Sequence, residues 1–145
     1  MNPKSASLVA TGVLVLAVLG LLVRHSLFGG RPIAVAAQIL AAGLMLAARL
    51  AFGWRSFHAG ANPTEGGLVT HGPYRFIRHP IYSAVLLFVW AGALSHASAL
   101  TVSLAALASA ATAVRIRAEE RLIVERYPEY AAYAARVKRV IPFIF

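Results

Sequence analysis

The sequence predicts an all-α, integral-membrane helical bundle of about four transmembrane helices, with a C-terminal cytoplasmic or interfacial helix. Three observations carry that expectation. The chain has 145 residues, of which 59% are hydrophobic and only 13% charged, too apolar for a solvated domain. Its basic residues, which give a net charge of +9, border the apolar runs, as in proteins that meet anionic headgroups. Its remaining polar chemistry is gathered into two short clusters. The bilayer, not nucleic acid, is therefore the expected partner. With no cysteine, disulfides, thiolate metal sites and cysteine nucleophiles are excluded.

The length suits one domain, 1–145. Residues 7–23 are uncharged and lie between Lys4 and Arg24, and as a helix they rise about 26 Å, slightly short of a ~30 Å hydrocarbon core but workable as a first span. Residues 33–54 form the second, with Gln38 and Arg49 its strongly polar members. Arg49 lies close to the end and is expected to snorkel. Residues 81–114 would make one helix of roughly 51 Å, too long for a single crossing, so a tight hairpin is expected at 95–98 between spans 81–94 and 98–114. One side of this bundle holds Lys4, Arg55, Arg75, Arg78 and a basic tail; the other holds only Arg24 and Arg31. The positive-inside bias puts both termini and the polar clusters on the cytoplasmic side. The Ala/Arg-rich, lysine-poor composition suggests a bacterial cytoplasmic membrane.

Between the second and third spans, Asn62-Pro63 and Gly66-Gly67 are turn chemistry. The first polar cluster follows, 71–84, HGPYRFIRHPIYSA. Pro80 suits the first turn of the next helix, and His79 before it is biased to an extended backbone. Irregular backbone at a membrane is tolerated where protein or a watery cavity satisfies it. A juxtamembrane basic loop, with Arg75 and Arg78 on phosphates and Tyr74 and Tyr82 in an aromatic belt, explains the composition equally well.

The second cluster, 115–127, RIRAEERLIVERY, continues the fourth span beyond the lipid. Ile116, Ile123 and Tyr127 fall on one stripe that Glu119 and Glu120 straddle, while Arg117, Arg121 and Glu125 point away. Inward-facing glutamates need partners, and Arg75, Arg78 or His79 are the candidates. After Pro128 a surface helix over 129–140 is expected, its Tyr130 and Tyr133 packing at the interface. Residues 141–145 read as a hydrophobic anchor. His25 and His96 read as interfacial, and His58 lies on the site side. No His/Glu pair has ligand spacing on one helix face, so no metal is expected.

Taken in order, LVTHGPYR at 68–75, RHPIY at 78–82, the Glu119-Glu120 pair and the later Tyr127, Tyr130, Tyr133 and Ile141-Pro142 resemble the isoprenylcysteine carboxyl methyltransferase and phospholipid methyltransferase superfamily of integral-membrane enzymes. The likeness covers the C-terminal part of the chain. It departs at Tyr127-Pro128, where the family often has Phe-Gly. The resemblance implies S-adenosyl-L-methionine as cofactor and a lipid or membrane-partitioned small molecule as methyl acceptor. By carry-over, Val69, Thr70, His71, Gly72, Pro73, Tyr74 and Arg75 line the cofactor site, His79 and Tyr82 contact the cofactor, and Glu119 or Glu120 contributes a carboxylate to it. His79, Glu120 and Arg78 are the implied catalytic set. The residue types suit that chemistry, since an arginine can fork onto the cofactor's carboxylate and a glutamate can take its ammonium or ribose diol. A carboxylate acceptor needs no base, whereas an amine could pass its proton to His79 or a glutamate. Two other classes fit parts of the pattern. A sterol-reductase-like NADPH enzyme would share the Arg-His-Pro-x-Tyr element, and a small four-span transporter or adaptor would share the hydropathy.

Overall fold

The computed structural model describes residues 2–53 and 67–141. Among these, five α-helices and one short 3-10 turn form the structure: α1 Pro3–Val23, α2 Pro32–Phe52, the turn Gly72–Arg75, α3 Pro80–Ser95, α4 Ala99–Arg126 and α5 Tyr130–Arg136. The predicted all-helical bundle is the observed one. Three of the helices, α1, α2 and α4, are long and apolar enough to cross a bilayer. The fourth, α3, has 16 residues and rises about 24 Å, short of a ~30 Å hydrocarbon core. The loop signals at Asn62-Pro63 and the position of His58 lie outside the described residues, as do residues 142–145 of the expected anchor.

Local chemistry explains the ends. Helix α1 starts ahead of its apolar run because Pro3 suits the first turn and the Asn2 side chain accepts from the Lys4 N–H at 3.1 Å. Proline also opens α2 and α3. The hairpin between α3 and α4 needs neither glycine nor proline: Ser98 and Thr101 close a reciprocal capping box, Ser98 N–H to Thr101 Oγ1 at 2.9 Å and Thr101 N–H to Ser98 Oγ at 3.2 Å. Helix α4 has 28 residues, about 42 Å, so its last turns extend past the lipid.

Packing is pairwise. Helix α1 lies along α4, α2 along α3, and α3 joins the two pairs through α4. The dry centre is small-residue packing: Ala17 and Leu21 of α1, Val89 and Ala93 of α3, and Ala105 and Ala108 of α4 are essentially buried. Small side chains let helices approach closely where lipid gives no hydrophobic drive to associate. At the end away from the polar clusters, the α1–α2 connector crosses α3 so closely that a Cβ on Gly92 would collide with the Leu27 carbonyl. Buried Gln38 locks this crossing. Its amide donates to the Leu27 and Phe88 carbonyls at 2.8 and 3.1 Å and accepts from the Gly29 N–H at 2.9 Å.

The C-terminal segment departs from expectation. The helix after Pro128 ends at Arg136, and the residues that follow run extended beside the knot at 71–79. The cause is His79-Pro80. Proline forces the preceding backbone out of the helical region, so the N–H groups of Arg78 and His79 have no helical acceptor. The carbonyls of Lys138 and Arg139 take them at 2.7 and 2.9 Å, and Ile77 and Lys138 form a parallel bridge. Ser83 Oγ ties the same strip by donating to the Val140 carbonyl at 2.7 Å. Tyr130 and Tyr133, expected at the lipid interface, are instead buried, because α5 folds back over the knot. The Tyr133 hydroxyl donates to the Tyr74 carbonyl at 2.5 Å.

This packing has two measurable consequences. Gln38→Leu should lower unfolding free energy in detergent by about 1–2 kcal/mol, since it strands a buried N–H and two carbonyls; an unchanged melting curve would contradict the lock. Burial pushes the Tyr133 hydroxyl up from 10.0 to about 12. The folded state thus holds that proton more tightly than the unfolded chain, and its contribution is complete below pH 10 and lost as pH rises toward 12. Tyr74 and Tyr130 are raised in the same direction, chiefly by burial. Stability measured across this alkaline range should fall, and Tyr133→Phe should flatten part of the slope without removing it.

Candidate functional site

The knot at 71–79 sits where the ends of α2, α3 and α4 meet. Gly72 turns the chain with φ 58, a left-handed conformation that favours glycine, and a Cβ there would press on the Ala51 side chain at 3.2 Å. Tyr74 then drops into the structure, its ring 5.6 Å from that of Phe52 on α2. His79 is neither helical nor extended, with φ -125 and ψ 58, and this step and the first turn of α3 aim His79 and Tyr82 toward α4.

Glu120 is the hub. Its Oε1 accepts from Arg78 Nη1 at 3.1 Å and Tyr130 hydroxyl at 3.2 Å, and lies 3.2 Å from His79 Nε2. Its Oε2 accepts from Arg139 Nε at 3.0 Å. The carboxylate thus joins α4 to the knot, to α5 and to the extended tail. The Arg78 guanidinium also lies 5.8 Å over the Tyr130 ring, a cation–π contact. Burial first, and then the negative charge of Glu120, push the Tyr130 hydroxyl well above its ordinary value, so it remains a donor into the alkaline range.

Glu119 builds a second, adjoining network. The Tyr82 hydroxyl donates to its Oε1, and Arg115 reaches the same oxygen through Nη2 at 3.4 Å. Arg115 Nε donates to the Tyr82 hydroxyl at 2.8 Å, and its Nη1 donates to Thr11 Oγ1 of α1. Thr11 donates its own hydroxyl proton to the Ser7 carbonyl at 2.8 Å. His79 stands between the two networks, with Nδ1 4.0 Å from Glu119 Oε2. Glu119 is the more open carboxylate, its side chain 21% exposed against 11% for Glu120.

The structure therefore brings together Arg78, His79, Tyr82, Glu119 and Glu120 from the sequence-derived set. It does not bring Arg75 to either glutamate: Arg75 is exposed and lies 5.1 Å over the Phe76 ring. His71, Gly72 and Thr70 are exposed on the outer side of the knot, Val69 and Pro73 are half-buried, and Tyr74 is buried. Sequence reasoning misses Thr11, Arg115, Tyr130 and Arg139 as members of the cluster. The helical period carries a signal for Arg115, which stands four residues before Glu119. Nothing local marks Arg139, because its position depends on the backbone pairing of the tail.

Known proteins place this arrangement. The chain matches the phospholipid methyltransferase family over residues 31–130, a stretch that includes the knot, both glutamates and Tyr130. It is 38% identical over 76 residues to the cobalt-zinc-cadmium resistance protein CzcN of Cupriavidus metallidurans, covering 52% of this chain and 35% of that protein. It is 30% identical over 112 residues to the nickel-cobalt-cadmium resistance protein NccN of Alcaligenes xylosoxydans xylosoxydans, covering 74% of this chain and 52% of that protein. The matched parts thus span about half or less of those relatives. No solved structure matches. With the family match extending over most of the chain, this integral-membrane protein belongs to the phospholipid methyltransferase family.

Proposed function

We propose that the chain uses S-adenosylmethionine to methylate a lipid-like or small hydrophobic acceptor at the membrane surface, on the cytoplasmic side. The observation that carries this reading is the convergence of Arg78, His79, Tyr82, Glu119 and Glu120 at one end of the bundle, in a chain of this family. The donor set suits the cofactor. Arg78 Nε is buried without a hydrogen-bond partner among the described residues, a donor matched to a carboxylate. Glu119, partly exposed, is matched to an ammonium or a ribose diol. The ring of Tyr82, whose hydroxyl is already shared with Glu119 and Arg115, suits an adenine or a sulfonium.

When bound, S-adenosylmethionine supplies a methyl group on a sulfonium. The residues of this chain contribute position and proton handling. Glu120, already engaged by Arg78, His79, Tyr130 and Arg139, fixes the framework around the site. Holding two reactants aligned supplies much of the acceleration of an in-line displacement. His79, with a carboxylate near each ring nitrogen, is the group that would accept a proton from an amine acceptor. A carboxylate acceptor would need no such step. The relatives' names tie them to metal resistance, and we extend the reading to this chain in one respect: methylation by it would support growth under cobalt or cadmium stress.

Calorimetric titration of the full chain in nanodiscs checks the central reading. S-adenosylhomocysteine should bind saturably and NADPH should not; binding of NADPH alone would point to a reductase instead. Glu119→Gln and Arg78→Gln should each weaken S-adenosylhomocysteine by about tenfold or more, the loss of a charge-assisted hydrogen bond. His79→Ala should lower turnover of an amine acceptor far more than it lowers that affinity. A folded Glu119→Gln protein with wild-type affinity would remove this carboxylate from the site.

A further inference from the structure

A second feature lies outside the glutamate networks. A cavity of about 220 Å³ opens on the side of the bundle between α3, α4 and the extended tail. One face of α4 supplies Ser109, Thr112, Ala113, Ile116 and Arg117; Leu86 closes it from α3, and Arg139 and Ile141 from the tail. These α4 positions repeat at helical spacing, so the cavity runs along the helix from lipid depth toward the polar end. Its inner part is lined by Leu86 and Ala113 with the hydroxyl residues Ser109 and Thr112. Its polar end is lined by two arginines, Arg117 on α4 and Arg139 on the tail.

Two observations indicate a ligand. Thr112, 1% exposed, is one of the residues lining the cavity, and its Oγ1 has no hydrogen-bond partner among the described residues. Threonine in a helix usually returns its hydroxyl to the preceding turn, so a buried hydroxyl left unpaired beside a cavity is a costly arrangement unless something else receives it. Arg117 has no ion pair or hydrogen bond among the described residues, although Glu120 stands only three positions along the helix. The volume is below the ~300 Å³ at which ordinary small-molecule pockets begin, too small for a whole nucleotide cofactor. It fits one end of a longer molecule that continues into the bilayer, past exposed Val114 and Ile141.

We propose that this cavity binds an anionic phospholipid, its phosphate between Arg117 and Arg139 and the start of an acyl chain against Leu86, Ala113 and Ile116. The Thr112 hydroxyl donates to an ester or phosphate oxygen. A guanidinium has five N–H donors, so Arg139 can serve a phosphate while its Nε remains on Glu120. The bound lipid thereby fastens the extended tail, and with it the Arg139–Glu120 contact, to the membrane. The site adjoins the Glu120 network through Arg139, but it does not depend on the methyl-transfer reading, because its argument uses the cavity, Thr112 and Arg117.

Native mass spectrometry of the detergent-purified full chain tests it, with phosphatidylglycerol and phosphatidylcholine of identical acyl chains titrated separately. Phosphatidylglycerol should bind about tenfold or more tighter, and Arg117→Gln should remove most of that preference. Thr112→Val, which keeps the shape, should weaken retention of phosphatidylglycerol, and Leu86→Trp, which fills the cavity, should weaken both lipids. Arg121→Gln, exposed on the same helix but outside the cavity, should change nothing. Equal retention of the two lipids overturns the proposal, as does an equal loss in Arg121→Gln, which would mean unspecific attraction to charge. Competition by inorganic phosphate as strong as by the lipid would overturn the commitment to a phospholipid.

Discussion

Glu120 is the constraint on which the polar end of this protein depends. One carboxylate joins four segments that are remote in sequence: the knot through Arg78 and His79, α5 through Tyr130, the tail through Arg139, and α4 on which it stands. A nearly buried anion with fewer partners would be severely destabilising, whereas one with this many charge-assisted contacts determines how the segments can meet. Helix α5 has only seven residues and could not persist alone. Its place is set by Tyr130 on the carboxylate and Tyr133 on the Tyr74 carbonyl.

The neighbouring Glu119 faces differently, and the difference divides the work between two adjacent glutamates. A step of 100° along the helix turns Glu119 toward α1 and α3, where Arg115, Thr11 and Tyr82 meet it. Arg115 is the link that brings the N-terminal helix into the cluster. The packing of α1 therefore bears on Tyr82 and Glu119 through the Arg115 guanidinium, while Glu120 is held from the opposite side by the tail. The more open of the two carboxylates is thus also the one connected to the helices that border lipid.

How much of this is legible in the sequence follows from the range of each interaction. The helices are readable because apolar composition and length are local properties. The inward set of Glu119 and Glu120 is readable for the same reason, since the 3.6 period places them beside Ile116 and Ile123 whatever they contact. The α3–α4 hairpin follows from length alone, while the signal that makes it, Ser98 with Thr101, is a capping box with threonine in place of the usual glutamate or glutamine. The tail reads as helix through 140 because alternating tyrosines, alanines and basic residues fit an amphipathic period. What overrides the pattern is a need elsewhere in the chain: two N–H groups left open by Pro80. Arg75 is a reasonable partner for the glutamates by charge, but the turn at Gly72–Arg75 points it outward, and only Arg78, past the turn, reaches them.

That same backbone need explains why the polar chemistry is so concentrated. A helix entering the membrane with proline in its first turn leaves the preceding residue outside the helical region, and at the edge of a bilayer its polar groups must be satisfied by protein. Here the satisfying segment is the tail, and residues that make the pairing, Arg78 and His79 on one side and Arg139 on the other, are the ones whose side chains converge on Glu120. Backbone pairing and side-chain convergence are therefore one arrangement. A chain with no soluble domain among its described residues can assemble a dense polar site at a membrane surface because the defect that proline introduces into the helix also recruits the strand that completes the site.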